Sequence, residues 1–178
     1  MINKAIIFAT KAHACQFRKG GKIPYILHPL EAGIIVSQMK YDEDLICAAI
    51  LHDVVEDTDI TAQMVTEEFN QRISDLVVSQ SEDKSRSWKE RKSHTLESFA
   101  KEKSEDIGIV ALSDKLSNIK SIDRDLQIKG DKLWKIFNVK DKNEHKWYYC
   151  GLVDSLSYLF EYNEYKEFKR LVNKVFNN

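Results

Sequence analysis

Residues 45–57 read LICAAILHDVVED, an apolar run followed by a histidine and acidic residues. The letters up to Leu51 are apolar and predict a buried helix. His52 and Asp53 follow directly, and acidic residues continue to position 57. A buried carboxylate must be hydrogen-bonded, paired with a cation or bound to a metal. The stretch therefore predicts a buried helix that ends at His52 and Asp53, two candidate ligands of a divalent metal.

The remainder of the chain also shows apolar residues at helical spacing. This spacing predicts helices over residues 2–16, about 30–39, 43–56, 61–69, 105–122 and 144–161, with a last amphipathic helix near the C-terminus. His28 precedes Pro29, and we expect the proline to hold His28 outside helical geometry. No alternating strand pattern, internal repeat or linker occurs in the sequence. The fold class is therefore predicted to be all-α, with residues 1–178 forming one domain.

Composition restricts the class of protein. The net charge of −1 gives no general attraction to nucleic acid or to a membrane, although residues 84–103 are locally basic. No apolar run approaches the roughly 20 residues of a membrane span, and the N-terminus does not read as a signal peptide. The three cysteines include no CxxC pair and are expected to be reduced. We expect a cytoplasmic protein with a small-molecule ligand, and a homo-oligomer stays open.

Two further candidate ligands lie in apolar surroundings. His28 lies between two apolar elements, and Asp114 interrupts an apolar helix. Two imidazoles and two carboxylates suit Mn²⁺, Fe²⁺, Zn²⁺ or Mg²⁺, with positions left open for water. Each residue alone has an ordinary explanation, such as a core histidine, a helix cap or a salt bridge. The combination of His28, His52, Asp53 and Asp114 predicts one metal site.

The order of these four residues resembles the H…HD…D signature of HD-domain metal-dependent phosphohydrolases. The blocks around them resemble the RelA/SpoT-type alarmone hydrolase domain, including small stand-alone guanosine polyphosphate 3′-pyrophosphohydrolases. These blocks are RKG (18–20), PYILHP (24–29), LHDVVEDT (51–58) and SDKLSN (113–118). Later segments resemble a group of small bacterial HD proteins, namely WKERK (88–92), GDKLW (130–134) and WYY (147–149). The resemblance runs from about residue 3 to 160.

The chain departs from the family pattern at three points. The loop from Arg18 to Pro24 is one residue longer than in the long bifunctional enzymes. Phe69-Asn70 stands where the family often has Phe-Gly, and we expect no synthetase or regulatory domain to follow. None of these departures removes a candidate metal ligand.

The resemblance implies an HD-domain helical bundle, with C-terminal helices of about 144–177 packed on it. It implies that His28, His52, Asp53 and Asp114 hold one Mn²⁺. It also implies that Glu56 and Asp57 act as the catalytic pair that orients water or carries its proton, as carboxylates placed near a reacting group can. The predicted reaction is hydrolysis of guanosine tetra- or pentaphosphate, the alarmones of the stringent response, with release of pyrophosphate from the 3′ position.

An anionic substrate needs local cations, because the net charge is close to zero. The predicted substrate-binding residues are Arg18, Lys19, Lys89, Arg91, Lys92 and Asn118. Arginine can bind phosphate through two hydrogen bonds and can also stack on a purine. For Lys89, Arg91 and Lys92 a solvated helix face is an equally good interpretation. Two other functions stay open: an HD phosphatase or phosphodiesterase acting on another nucleotide, and a non-catalytic nucleotide-binding module.

Overall fold

The computed structural model describes residues 1–177, and regular structure in that range is helical. The α-helices are α1 (Ile2–Ala12), α2 (Leu27–Met39), α3 (Glu43–Leu51), α4 (Val54–Asp57), α5 (Ala62–Glu68), α6 (Gln71–Val78), α7 (Trp88–Glu102), α8 (Glu105–Lys129), α9 (Lys142–Ser155) and α10 (Asn163–Phe176). Short 3₁₀ segments cover Gly130–Ile136 and Ser157–Leu159. Within residues 1–177 the strand-like pairing is limited to an isolated bridge between Phe17 and Pro24. The predicted all-α fold class is confirmed.

Packing divides the chain into two compact units. The first contains residues 1–81 and 105–114, and the second contains residues 82–104 and the chain from Lys115 onward. Helix α8 therefore belongs to the first unit up to Asp114 and to the second beyond it. The description of residues 1–178 as a single domain stays a prediction.

Helix α3 lies at the centre of the first unit. Every residue from Leu45 to Leu51 is buried. The helix begins cleanly because the carboxylate of Asp42 accepts hydrogen bonds from the backbone N–H groups of Asp44 and Leu45. Helix α2 packs closely against it, since Gly33 leaves no side chain between the two helices at Ile50. The apolar run that the sequence indicates is thus the core of this unit.

The expectation that Pro29 excludes His28 from a helix is wrong. Helix α2 begins at Leu27, so His28 and Pro29 both lie in its first turn. The N–H groups of a first turn have no partner within the helix, and a proline there removes no helical hydrogen bond. The backbone N–H of His28 donates instead to the carbonyl of Tyr25. His28 is therefore held by a helix rather than by a loop.

The predicted helix over residues 43–56 is broken in the structure. Helix α3 ends at Leu51, a turn contains His52 and Asp53, and α4 covers only Val54–Asp57. Other bounds differ less: α1 stops at Ala12, α8 continues to Lys129, and the helix predicted over 144–161 is α9 followed by a 3₁₀ turn. Helix α8 stops at Gly130, whose φ of 56° lies in the left-handed region that glycine tolerates.

The second unit is built on α7, α9 and α10. Helix α7 starts with a capping box, in which Ser87 and Glu90 satisfy each other's backbone N–H groups. Gly151 in α9 lets the side chain of Leu96 in α7 approach the α9 backbone. Helix α10 buries one apolar face, which includes Phe168 and Leu171. No helix within residues 1–177 is both long and apolar enough to cross a membrane.

Candidate metal centre

Four side chains of the first unit converge at the end of α3. The Nε2 atom of His28 lies 3.1 Å from Oδ1 of Asp114, and the Nε2 atom of His52 lies 3.7 Å from the same oxygen. One ligand atom each from His28, His52 and Asp114 lies within 4.8 Å of the other two. Oδ2 of Asp53 lies 2.8 Å from Nε2 of His52 and 3.7 Å from Nε2 of His28. Three separate chain segments thus bring two imidazoles and two carboxylates together.

The orientation of His52 fits a metal ligand. Its Nδ1 atom lies 2.8 Å from the carbonyl oxygen of Ala49, one turn earlier. A backbone carbonyl can only accept, so Nδ1 carries a proton and, in the neutral ring, Nε2 has the free lone pair. Nε2 is buried and has no well-aligned hydrogen-bond partner within residues 1–177. Once Nε2 has lost its proton, this buried nitrogen beside two carboxylates can bind a divalent cation.

His28 and Asp114 complete the cluster from helices α2 and α8. Both are buried, with relative exposures of 4% for His28 and 6% for Asp114. Asp114 lies in a helical segment whose neighbours Leu112 and Leu116 are fully buried. A carboxylate in that setting needs a compensating positive charge or donor. The position of Asp114 beside two imidazoles explains why an acid is tolerated in the core.

The charges in this cluster are strongly coupled. Burial disfavours the charged form of His52, but the carboxylates of Asp53 and Asp114 outweigh burial and raise its pKa to about 9. Burial by itself raises the pKa of Asp53, but the charge of His52 outweighs it and leaves the pKa of Asp53 below its usual range. Burial lowers the pKa of His28, because its contact with Asp114 compensates only in part. The two carboxylates therefore stabilise a positive charge in this site, whereas burial alone would favour neutral histidines.

Tyr25 was not among the sequence-predicted site residues. Its hydroxyl donates a hydrogen bond of 2.6 Å to Oδ2 of Asp53. Burial, followed by the charge of Asp53, raises the pKa of this phenol well above 10, so that it stays a donor. The only sequence signal for it was its place in the block PYILHP, three residues before His28.

The predicted catalytic pair lies in α4, next to the cluster in sequence. Glu56 is partly exposed and Asp57 is exposed. The carbonyl oxygen of Asp57 accepts a hydrogen bond of 2.7 Å from the side chain of Gln16, whose Oε1 lies 2.8 Å from Nδ1 of the buried His13. This chain of contacts ties the turn after α1 to α4. The role of Glu56 and Asp57 in catalysis stays a prediction.

The basic loop near residue 20 is a short hairpin-like turn. The N–H of Arg18 donates to the carbonyl of Ile23, and Gly20 adopts a φ of 75° at the tip. The guanidinium of Arg18 lies 5.7 Å from the centre of the Tyr25 ring, a cation–π distance. Lys19 is exposed at the tip. Arg18 therefore contacts Tyr25, and Tyr25 in turn contacts Asp53 of the candidate metal centre.

The remaining predicted substrate contacts belong to the second unit. Lys92 and Arg91 form ion pairs of 2.7 and 3.1 Å with Glu82. Lys89 pairs with Glu144 at 2.5 Å and lies over the ring of Trp147. These three cations therefore form ion pairs within their own unit. The alternative interpretation from the sequence was a freely solvated helix face. Asn118 lies partly exposed on α8. Substrate binding by these residues stays a prediction.

The helical fold and the cluster of His28, His52 and Asp114 are typical of a metal-binding helical domain. Residues 5–137 match the family described as HD domain, and the chain belongs to that family. Membership implies a divalent metal, and the donor atoms described above fit one.

Two curated relatives indicate which kind of HD-domain protein this chain is similar to. The chain is 33% identical over 123 residues to a guanosine-3′,5′-bis(diphosphate) 3′-pyrophosphohydrolase of Aquifex aeolicus. A probable enzyme of the same name from Mycoplasma pneumoniae is 31% identical over 134 residues. These matches include 68% and 69% of this chain but only 18% of each relative, so the chain spans about a fifth of their length.

Solved structures of similar size resemble the whole chain. A structure described as a metazoan ortholog of SpoT that hydrolyzes ppGpp superposes with a TM-score of 0.77 at 27% identity, covering 99% of this chain and 93% of that one. The protein lmo0812 of Listeria monocytogenes superposes with the same TM-score of 0.77 at 31% identity, covering 91% of this chain and all of that one. The relation to the SpoT ortholog thus extends over nearly the full length of both chains.

Proposed function

We propose that this protein hydrolyses guanosine 3′,5′-bis(diphosphate) and its pentaphosphate analogue, releasing pyrophosphate from the 3′ position. The observation that carries the proposal is the convergence of His28, His52 and Asp114 within 4.8 Å, with Asp53 against both imidazoles. The substrate is inferred from the relatives named as 3′-pyrophosphohydrolases and from the SpoT ortholog of similar size.

The proposed ligands of one divalent cation are His28, His52, Asp53 and Asp114. Mixed nitrogen and oxygen donors with no thiolate suit Mn²⁺, which we take as the working metal. When bound, such a cation eases deprotonation of water and neutralises charge on a phosphoryl group. His52 contributes Nε2 because Ala49 holds its Nδ1 proton, and the carboxylates supply the countercharge.

The other residues act on the water and on the substrate. Glu56 and Asp57 come one turn after Asp53 and are the nearest acids in sequence that could accept the proton of the attacking water. Arg18 and Lys19 present positive charge from the hairpin at residues 17–24, and Arg18 is supported by the ring of Tyr25. We assign these two cations to the phosphates or, for Arg18, to stacking on the guanine.

The test is a turnover assay on protein stripped with a chelator and titrated with Mn²⁺, Mg²⁺ or Zn²⁺. We expect one pyrophosphate and one guanosine diphosphate per guanosine tetraphosphate, with the highest rate in Mn²⁺. The same assay with other nucleotides tests a different HD phosphatase activity. Binding of guanosine tetraphosphate with no pyrophosphate release at any metal concentration would overturn the proposal in favour of a non-catalytic module.

Two variants assign the roles. Asp53→Ala is expected to abolish turnover while circular dichroism shows an unchanged helix content. Arg18→Ala is expected to raise KM by roughly 10- to 100-fold, since a hydrogen bond to a charged group contributes about 1.5–3 kcal/mol. Arg170→Ala, an exposed arginine on α10, is the matched control and should keep the wild-type KM. A wild-type KM in Arg18→Ala would remove Arg18 from the substrate site.

A further inference from the structure

Tyr25 lies at the junction of three features of the first unit. Its hydroxyl donates to Oδ2 of Asp53 at 2.6 Å. The edge of its ring meets His28, with ring centres 5.9 Å apart, and its other contacts are His13 at 4.9 Å and the guanidinium of Arg18 at 5.7 Å. A single side chain therefore touches two proposed metal ligands and one proposed substrate cation.

Main-chain hydrogen bonds hold the backbone of Tyr25 on both sides. Its N–H donates to the carbonyl of Gln16 at 2.9 Å, and its own carbonyl accepts from the N–H of His28 at 3.0 Å. Pro24 precedes it and restricts the backbone further. The ring packs between His13 and His28, and these contacts hold the hydroxyl beside Asp53.

Asp53 needs such a support more than the other proposed ligands do. It lies in the turn between α3 and α4, whereas His28 and Asp114 lie within helices. Its side chain is also the most exposed of the four, at 17% compared with 2–9% for the others. A carboxylate in a turn can rotate, and rotation would move Oδ2 away from the two imidazoles.

We propose that Tyr25 is the positioning residue for Asp53, and that its hydroxyl sets the orientation in which this carboxylate joins the cation site. The inference rests on the proposed function, because it takes Asp53 as a ligand. Outer hydrogen-bond donors of this kind typically affect metal affinity by 10–100-fold when they are removed. The ring of Tyr25 has a separate role as the platform beneath Arg18.

Tyr25→Phe tests the hydroxyl alone, because phenylalanine keeps the ring that packs on His13, His28 and Arg18. We expect Mn²⁺ affinity, measured by the electron paramagnetic resonance signal of free Mn²⁺, to fall by roughly 10–100-fold. At saturating Mn²⁺ the KM should stay at the wild-type value while kcat falls. Tyr41→Phe, at a tyrosine that is 83% exposed, is the matched control and should leave both quantities unchanged.

Tyr25→Leu separates the two roles. Loss of the ring removes the platform for Arg18, so KM should rise in addition to the loss of Mn²⁺ affinity. Equal KM increases in Tyr25→Phe and Tyr25→Leu would contradict a positioning role and would indicate direct substrate contact by the hydroxyl. Wild-type Mn²⁺ affinity in Tyr25→Phe would overturn the inference outright.

The metal measurement is independent of turnover, which keeps the two proposals distinguishable. Wild-type protein that binds Mn²⁺ but releases no pyrophosphate from guanosine tetraphosphate would refute the proposed substrate, while the affinity ratio of Tyr25→Phe to wild type would still decide the role of Tyr25. Wild-type protein that binds neither Mn²⁺ nor another divalent cation would overturn both.

Discussion

The Nε2 atom of His28 in α2 lies 3.1 Å from Oδ1 of Asp114 in α8. This contact joins the first turn of one helix to the interior of another, and both residues are buried. Two residues that are far apart in the chain thus form one part of the candidate metal centre.

Metal should stabilise the folded protein measurably. A ligand that binds only the native state at 100 times its Kd contributes about 2.7 kcal/mol. For a protein of this size, each kcal/mol raises Tm by roughly 2–4 °C, so we expect an increase of about 5–10 °C. Differential scanning fluorimetry with Mn²⁺, followed by excess chelator, should show the increase and its reversal.

Asp114→Asn should remove most of that metal-induced stabilisation, because it deletes a charge from the ligand set. Asp131→Asn, at an exposed acid of the second unit, is the matched control and should respond to Mn²⁺ like the wild type. The same increase in Tm for Asp114→Asn and for wild type would show that the cation binds elsewhere.

Gly33→Ala should destabilise the first unit. A Cβ atom at residue 33 would lie 2.6 Å from Cγ1 of Ile50, a side chain that is 3% exposed and packed in α3. Overpacking of this kind typically costs about 1–3 kcal/mol. Urea unfolding should show the loss, and Mn²⁺ affinity should fall with it, since α2 carries His28 and α3 precedes His52.

The control for Gly33→Ala is Gly21→Ala in the exposed hairpin. A Cβ there meets only the backbone nitrogen of Ile23, at 3.9 Å. We expect a change of less than about 0.5 kcal/mol, as for most surface substitutions. Equal stability losses in the two variants would argue that the close approach of α2 and α3 does not limit the fold.

Acid should weaken the ion pairs around Arg72. Its guanidinium contacts Asp42 and Asp106 at 2.8 Å each. Arg72 lowers the pKa of Asp42, and for Asp106 Arg72 and Lys40 together outweigh burial and lower the pKa as well. Because these pKa values are depressed in the folded state, the stabilisation is present above the ordinary value of 3.8 and is lost as pH falls through the folded values.

Arg72→Gln should therefore be less stable than wild type at pH 7 and should lose less stability on acidification. Because Arg72 is 44% exposed, we expect a difference of only about 0.5–1 kcal/mol at neutral pH. Urea titrations from pH 7 down to about pH 2 should show the two stability curves converging below pH 4. Parallel curves over that range would contradict the ion-pair account.

Glu82 and Glu144 provide a matched comparison in the second unit. Glu82 is 11% exposed and pairs with Arg91 and Lys92, whereas Glu144 is 38% exposed and pairs with Lys89. Glu82→Gln should cost about 1–3 kcal/mol, because it removes the countercharge that Glu82 supplies to two part-buried cations. Glu144→Gln should cost less than about 1 kcal/mol. Equal losses in thermal unfolding would refute the distinction by burial.

The helical class and the chemistry of the proposed ligands could be predicted from the order of the residues alone. Helical spacing of apolar residues predicts the fold, because a helix must bury one face wherever it packs. His28, His52, Asp53 and Asp114 could be selected because polar groups in apolar segments need partners. Both arguments depend only on the residue types and on their spacing along the chain.

Tertiary structure alone decided the geometry of the centre and its supports. Local rules placed His28 in a loop and continued α3 through His52, whereas packing placed His28 in the first turn of α2 and ended α3 at Leu51. The hydrogen bond from Tyr25 to Asp53 and the ion pair of Lys89 with Glu144 join residues distant in the chain. Such contacts follow from how helices pack in space, a property that no local pattern of residues encodes.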